Sequence, residues 1–594
     1  MLRNLFTFLL MAGFVLVTYT NAQNANRVVA KKAPVVMNEG TYVPALGNTF
    51  SPAPLMPTAA SYVEVDTMAN AYGPAIGVLN PIAYDPASNV LAFIHRGTAS
   101  TGGSGSLPYN MSTDQGATWT RVGVVNATAT QRLSRYPSMA ISNPTGGDIS
   151  ATTGVFSWPE LVAGAFGGAG YGADQPLGAN ATFATFSTSE LYSSQVLSWA
   201  SDNSPKMYWG SDNQTDASYK IWMTEDFGVI DTFVFPSSVF TDGGNICLGG
   251  ASGGGNTYVA MLGTFPDPAG SNPIASGWYP AVSKKSAAGA AWDAFEVVDF
   301  RTIPALSRFD RLFDYVKEDA FVSYGGDVNV SADGYPHLLL VLTDTTTDAN
   351  TGVNAVCEIF KTASGWDGRI VYEGIDELMF TRVDGLALGQ MGPSPYLARS
   401  ADNGGWAAQW VNKAANDTLC DIYMSSRGSD GVWSQPVNLT ETVGKNENSS
   451  HFANKVAGSG GSYKAFSLYT YTAGSNDPDP DPTLPALAFV AAVPFVVVGV
   501  EDENNAPLTF SLDQNYPNPF NPSTQITFNL SKAGNVSLKV FDVLGREVAT
   551  LVNNELASGS HTINFNASDL ASGLYVYRLD AGNMTATRKM MLMK

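Results

Sequence analysis

A chain of 594 residues with 52 acidic and 32 basic side chains carries a formal charge of −20, which repels nucleic-acid phosphates and suits a solvated protein. Its 58 glycines, 33 prolines and only 14% charged residues favour many short strands joined by turns over helices. Three cysteines, Cys247, Cys357 and Cys420, exclude a disulfide framework and read as buried, inert thiols.

The amino terminus reads as an export signal. Arg3 supplies a positive start, Leu5 to Val17 is an apolar run, and Thr20-Asn21-Ala22 is a small-residue cleavage site. The run is too short to cross a bilayer with wet flanks, so 1–22 is a signal peptide cut between Ala22 and Gln23, with a lone anchor helix as the alternative. Residues 23–60, rich in Ala, Pro and Asn, form a leader.

From 61 to 500, groups of four apolar runs recur, separated by turn signals. One group holds Ile82 to Asp85, Val90 to His95, Tyr109 to Thr113 and Trp119 to Val125. Another has Asp327 to Ser331, His337 to Leu342, Val356 to Lys361 and Arg369 to Glu373. A third has Ser394 to Arg399, Trp406 to Val411, Leu419 to Ser425 and Trp433 to Leu439. Weaker starts lie near Tyr136 and Pro205. Four antiparallel strands repeating at this interval predict an all-β fold, a six- or seven-bladed propeller. The apolar stretch Leu484 to Val500 is interrupted by Pro485 and Pro494 and contains β-branched Val496 to Val498, so it reads as a buried strand and the chain as no integral membrane protein.

Ser112, Asp114, Gly116, Thr118 and Trp119 fit Ser-x-Asp-x-Gly-x-Thr-Trp and resemble the Asp-box of sialidase-like propellers; Ser429, Asp430, Gly431 and Trp433 are similar to a degenerate copy. The box's chemistry is structural: short polar side chains bond the hairpin backbone, Gly accepts positive φ, and Trp packs beneath. A sialidase needs an arginine cluster, a Tyr backed by Glu, and an acid. Eleven arginines lie between Arg96 and Arg427, but the nearest strings to the family's Phe-Arg-Ile-Pro motif, Arg135-Tyr136-Pro137 and Phe300-Arg301-Thr302-Ile303-Pro304, both follow the box, whereas the motif should precede it. Arg135 and Arg301 therefore read as surface charges and Tyr136 as packing at a blade edge.

Other chemistry is sparse. Asp477, Asp479 and Asp481 alternate with prolines, but an EF-hand spacing would put Gly and Glu where Pro482 and Ala488 stand, so calcium is weakly supported and no cofactor is expected. His95, His337, His451 and His561 lack metal-ligand spacing. The glycine-rich stretches 164–172 and 249–255 lack a phosphate-loop ending and read as loops between strands. Trp158, Trp209, Trp292 and Trp406 could stack on sugars or fill blade cores.

After a linker at 501–510, residues 511–594 show period-two alternation at Ile526, Phe528 and Leu530 and at Val536, Leu538 and Val540, which predicts a small immunoglobulin-like β-sandwich. Pro517, Asn518, Pro519 and Phe520, then Gly573 and Tyr575, then the basic-apolar tail from Lys589 to Lys594, closely resemble the type A C-terminal sorting domain of the type IX secretion system. That resemblance implies passage through the periplasm to the outer-membrane surface or the exterior, with the type IX translocon and a sortase-like peptidase as partners. The cargo, 61–500, then reads as a non-catalytic module binding glycans or surface proteins, or alternatively as a secreted glycoside hydrolase using carboxylates in the propeller funnel.

Overall fold

The computed structural model describes residues 60–69, 79–98, 105–127, 133–162, 165–186, 191–202, 204–213, 215–240, 245–265, 278–286, 291–313, 325–345, 353–375, 393–413, 420–440, 447, 449–472, 485–497, 511–512, 515, 518, 520–530, 534–556, 559–582 and 584–593. The signal peptide with Ala22 and Gln23, the leader up to 59, the linker 501–510, the acidic stretch 476–481, Pro517, Pro519 and Lys594 lie outside them. The chain divides into one unit ending at Val497 and a second beginning at Val498.

The described residues of the first unit form seven antiparallel sheets. The first runs Ile82–Asp85, Val90–Ile94, Pro108–Ser112, Thr120–Val124, and the second places Leu133–Ser134 and Ser138–Ser142 beside Thr153–Val162, followed by Ala165–Asp174 and Thr182–Phe186. The third contains Tyr192–Ala200, Met207–Asn213, Tyr219–Thr224 and Asp231–Phe235. The fourth contains Asn245–Gly253, Asn256–Thr264, Trp278–Ser286 and Glu296–Val297. In the fifth, Arg311–Leu312 and Gly326–Val330 share one edge of Pro336–Asp344, and Val353–Thr362 and Gly365–Glu373 follow on the other. The sixth is Tyr396–Arg399, Trp406–Lys413, Cys420–Arg427 and Val437–Asn438. The seventh joins Ser449–Phe452 and Ala457–Ser459 to Ser462–Thr472 and Ala486–Val496, and its outer strand is Val63–Met68 from the other end of the unit. Within the late apolar run, Ala486–Val496 is thus a strand paired along both edges.

Packing between the sheets is cyclic. Tyr109 and Ile94 of the first sheet meet Phe156 and Trp158 of the second, and Ala169 of the second meets Tyr192 and Trp209 of the third. One large cluster runs through the third, fourth and fifth sheets. Leu339 and Val356 of the fifth meet Leu397 and Trp410 of the sixth, and Tyr396 and Ile422 of the sixth meet Tyr463 and Phe495 of the seventh. Phe466, Leu468 and Val490 of the seventh then pack on Ile82, Leu91 and Phe93 of the first. Each such fully buried Leu or Phe stabilises the fold by about 2 kcal/mol relative to exposure.

The glycine-rich stretches read as loops are strands, Ala165–Asp174 and Asn245–Gly253. Their glycines clear room for indoles on neighbouring strands. A Cβ on Gly170 would stand 2.1 Å from Trp158 Nε1, and one on Gly250 would stand 2.2 Å from the Trp199 ring. Local composition signals turn here; the constraint is a ring from another strand.

In the second unit, Ser511–Leu512, Ser523–Leu530 and Gly559–Asn566 form one sheet, and Glu547–Leu556, Gly534–Phe541, Gly573–Ala581 and Met584–Leu592 form another, each in that spatial order. Ile526, Phe528 and Leu530 share a core with Val536, Leu538, Val540, Tyr577 and Leu579.

The fifth and sixth sheets are stapled by one buried carboxylate. Glu358 accepts hydrogen bonds from Arg427 Nη2 at 2.5 Å, His337 Nδ1 at 2.7 Å, Trp433 Nε1 at 3.0 Å and Arg369 Nη1 at 3.3 Å. Burial alone would raise its pKa, but Arg427, His337 and Arg369 hold it well below the usual glutamate range. Its folded pKa is depressed, so its stabilisation is present above the unfolded-state value and is lost as pH falls below that range. Removing one partner strands the others in the interior. Glu358→Ala should lower unfolding free energy in urea by about 3–5 kcal/mol near neutral pH, and an unchanged midpoint would rule out the staple.

Candidate functional site

The inner strands of the sheets, Ser138–Ser142 in the second and Gly326–Val330 in the fifth among them, line a channel whose two adjoining recesses enclose about 460 and 480 Å³ of space, some of it open solvent. The wall mixes small residues, Gly249, Gly250, Gly326, Ser138 and Ser198, with the larger Leu197, Leu248, Tyr396 and Phe452. Asn80 and Asn454 add amides. Asp327 and Asp202 are the carboxylates among the described lining residues.

Both acids are engaged by protein groups. Asp327 accepts main-chain N–H bonds from Leu397 and Val328, each at 2.8 Å, and burial still raises its pKa to about 7. Asp202, in the turn after the third sheet's inner strand, reaches Arg399 of the sixth sheet and Lys455 beside the seventh, both at 2.7 Å. Arg399 also donates to the carbonyl of Ser252 in the fourth sheet at 3.3 Å. Burial opposes ionisation of Asp202, yet Lys455 and Arg399 hold its pKa below the ordinary value. The triad therefore clasps one end of the channel across its width.

The other end, where chain enters the inner strands, has a different character. Tyr136 and Ser394 sit at φ 42° and 40°, each immediately before a proline, in a region that side chains other than glycine rarely adopt. Such backbone persists where surrounding structure enforces it and clusters at functional sites. The half-buried Tyr136 phenol has its pKa raised by burial, against the opposing pull of Arg96 and Arg135. Antiparallel pairing of Val90–Ile94 with Ile82–Asp85 brings Arg96 back to this same rim. Below it, Glu160 accepts from Trp158 Nε1 at 2.6 Å and Ser134 Oγ at 3.0 Å.

The residues singled out in the sequence scatter around this channel. Ser112 Oγ donates to Asp114 Oδ1 at 2.7 Å and accepts from Gly116 N at 2.8 Å, while Thr118 N and Oγ1 donate to Asp114 at 2.9 and 2.6 Å. Those bonds, led by Thr118, lower the Asp114 pKa to about 2. Trp119 Nε1 closes the turn on the Gly116 carbonyl at 3.1 Å. The turn joins the third and fourth strands of its sheet, at the clasped end of the channel. In the second copy Asp430 still accepts from Val432 N, but Trp433 serves the Glu358 staple. Trp158, Trp209, Trp292 and Trp406 are all buried, so packing wins over sugar stacking. Arg301 pairs with its neighbour Asp299 at 2.7 Å. His95, His337 and His451 bond Asn110, Glu358 and Tyr396, and among the described residues no His/Cys/Asp/Glu group could hold a metal ion. All three cysteines are buried and free, with the Cys247 thiol pushed up to about 12 by burial. Asp202, Arg399, Asp327 and Glu358 gave no sequence signal, because their partners lie far along the chain.

In the second unit, Tyr575 is buried and donates to the Ala571 carbonyl at 2.8 Å, and Gly573 sits at φ 157°. Asn518 and Lys589 are exposed, whereas Phe520 is buried.

Residues 514–593 match the family described as "Secretion system C-terminal sorting domain". No curated protein matches the chain. Among solved structures it is similar to a polysaccharide lyase of a new family, an ulvan lyase, at 9% identity over 74% of this chain and 96% of that one, with a TM-score of 0.38. An exo-β-1,3-galactanase from Phanerochaete chrysosporium is 8% identical over 91% and 100%, with a TM-score of 0.27. A neuraminidase-like protein of a flat-faced bat isolate is 11% identical over 61% and 88%, with a TM-score of 0.33. At such scores the fold rests on the sheets described above. Among the described residues no helix is long and apolar enough to cross a membrane. The tail is thus a type IX secretion sorting domain, and it directs this chain to the cell surface or the extracellular space.

Asp327 makes the channel wall sensitive to pH. Its folded pKa lies above the ordinary aspartate value, so the folded chain holds the proton longer than the unfolded one. Stability should therefore fall as pH rises from the ordinary aspartate range through about 7, by at most about 4 kcal/mol. Asp327→Asn should flatten the difference in urea midpoint between about pH 5 and about pH 8; an identical pH slope in both proteins would contradict this assignment.

Proposed function

We propose that the cargo is a seven-bladed β-propeller, closed by Val63–Met68, that works outside the cell as a non-catalytic module binding a glycan at the open rim of its channel. In this reading 1–22 is removed after Ala22, the turn at 112–119 is an Asp-box, and the second unit is an immunoglobulin-like sandwich that a sortase-like peptidase removes. The observation that carries the binding role is the channel wall. Its polar groups are the hydroxyls and amides of Ser138, Ser198, Asn80 and Asn454 among apolar side chains, and its two described carboxylates are occupied by main-chain amides or cations. Glycoside hydrolysis requires two carboxyl groups about 5 to 10 Å apart on either side of a bond, each available to substrate or water. The rim supplies what recognition needs instead: hydroxyl, amide and guanidinium groups fixed by strained backbone.

The test uses the full exported chain on a glycan array and in assays for released reducing ends. Retention of particular glycans without product is expected. Arg135→Ala should weaken that retention at least about tenfold, the cost of one charge-assisted hydrogen bond, with thermal unfolding unchanged. Release of sugar products would sink the binding reading in favour of the enzyme.

A further inference from the structure

The two ends of the sorting unit's sequence meet in space. Phe520 lies parallel to Leu592, its N–H donates to the Met591 carbonyl at 2.9 Å, and its carbonyl accepts from Met593 N at 3.0 Å. Asn518 Oδ1 accepts from Met591 N at 2.8 Å. The segment at 518–520 thus braces the free edge of the final strand, Met584–Leu592, at its carboxyl end.

What the brace presents is unusual for this chain. Strand alternation sends Tyr575, Tyr577, Met590 and Leu592 into the core and leaves Leu574 opposite Met591 on the outer face. Leu574, Met591 and Met593 are 38%, 39% and 57% exposed, which makes an apolar strip beside the exposed Lys589. From Ala581 to the end the sequence has Arg588, Lys589 and Lys594 and no acid, within a chain of net charge −20. Arg588 alternates to the other side and donates to the Leu512 carbonyl at 3.0 Å, so Lys589 is the described cation that the final strand adds to this strip. A cation beside exposed methionines on an otherwise acidic protein is the complement of an apolar partner edged with carboxylates.

We propose that this outer face, Leu574, Met591 and Met593 with Lys589, is where the export machinery grips the chain, through a receptor surface that is apolar and edged by carboxylates. Asn518 and Phe520 are positioning residues that hold the final strand in register for that contact. The family match assigns sorting to the domain as a whole; the division into a buried brace and an exposed face comes from the geometry. It also explains why the recognisable motif residues Phe520 and Tyr575 are buried, and so cannot themselves touch a receptor.

The experiment follows the full-length chain in a host that secretes it, comparing protein outside the cells with protein retained in the periplasm. Replacing both Lys589→Glu and Met591→Glu should lower external protein at least tenfold, with thermal unfolding of the purified chain unchanged. Asn518→Ala should lower export severalfold and speed hydrogen exchange at the Met591 amide, and Asn518→Asp, which keeps an acceptor, should restore both. Normal export of the folded double variant would overturn the docking face. Normal export of Asn518→Ala despite faster Met591 exchange would overturn the brace. A change in self-association alone, seen by light scattering with export intact, would assign the face to a second copy and also refute the proposal.

Discussion

The structure depends on where its sheet edges go. Antiparallel sheets expose a row of unpaired amides and carbonyls at each edge, and a chain with this much strand must cover them. Here the first unit divides its strands among seven sheets, and Val63–Met68 pairs with Ala486–Val496, so the seventh sheet contains both ends of the described cargo. That pairing brings the seventh sheet against the first and completes a cycle of buried contacts. A channel clasped at one end by Asp202, Arg399 and Lys455 lies between the inner strands.

Periodicity made part of this legible. The groups at Ile82, Asp327 and Ser394 each became one sheet, since their strands are separated by turn residues whose local chemistry enforces the hairpin. Pro205 marked only a hairpin inside the third sheet, whose inner strand begins earlier, at Tyr192. The fourth sheet was missed because Asn245–Gly253 is too rich in glycine to show alternation. Its glycines answer to Trp199, a residue of the preceding sheet, and no window along the sequence contains both. The sorting unit was legible for the opposite reason: its alternating runs are short, close together and bury one face each.

Charge placement was illegible throughout. Glu358 and Arg427 are 69 positions apart, and Asp202 and Lys455 are 253 apart. Neither pair forms a motif, yet each joins sheets that hydrophobic contact alone would hold with less specificity. Buried ion pairs of this kind add little net stability over apolar packing, but they are costly to break singly. Their value here is registration, a reading that fits Trp433, whose indole donates to Glu358 and so ties the degenerate second turn to the staple.

This use of charge bears on what the channel can do. A carboxylate that catalyses must be free to take or give a proton at the substrate, and its geometry must be set by groups that do not neutralise it. Asp202 is held ionised by two cations, and Asp327 is fixed by two main-chain amides in a site that favours its proton. Both are therefore parts of the wall. The groups of the proposed binding role lie at the opposite end of the channel, where the backbone at Tyr136 and Ser394 carries a conformational cost. Both positions stand just before an inner strand, Ser138–Ser142 and Tyr396–Arg399. That backbone holds the Tyr136 phenol beside the guanidinium groups of Arg96 and Arg135, which is the arrangement the proposed binding role would use.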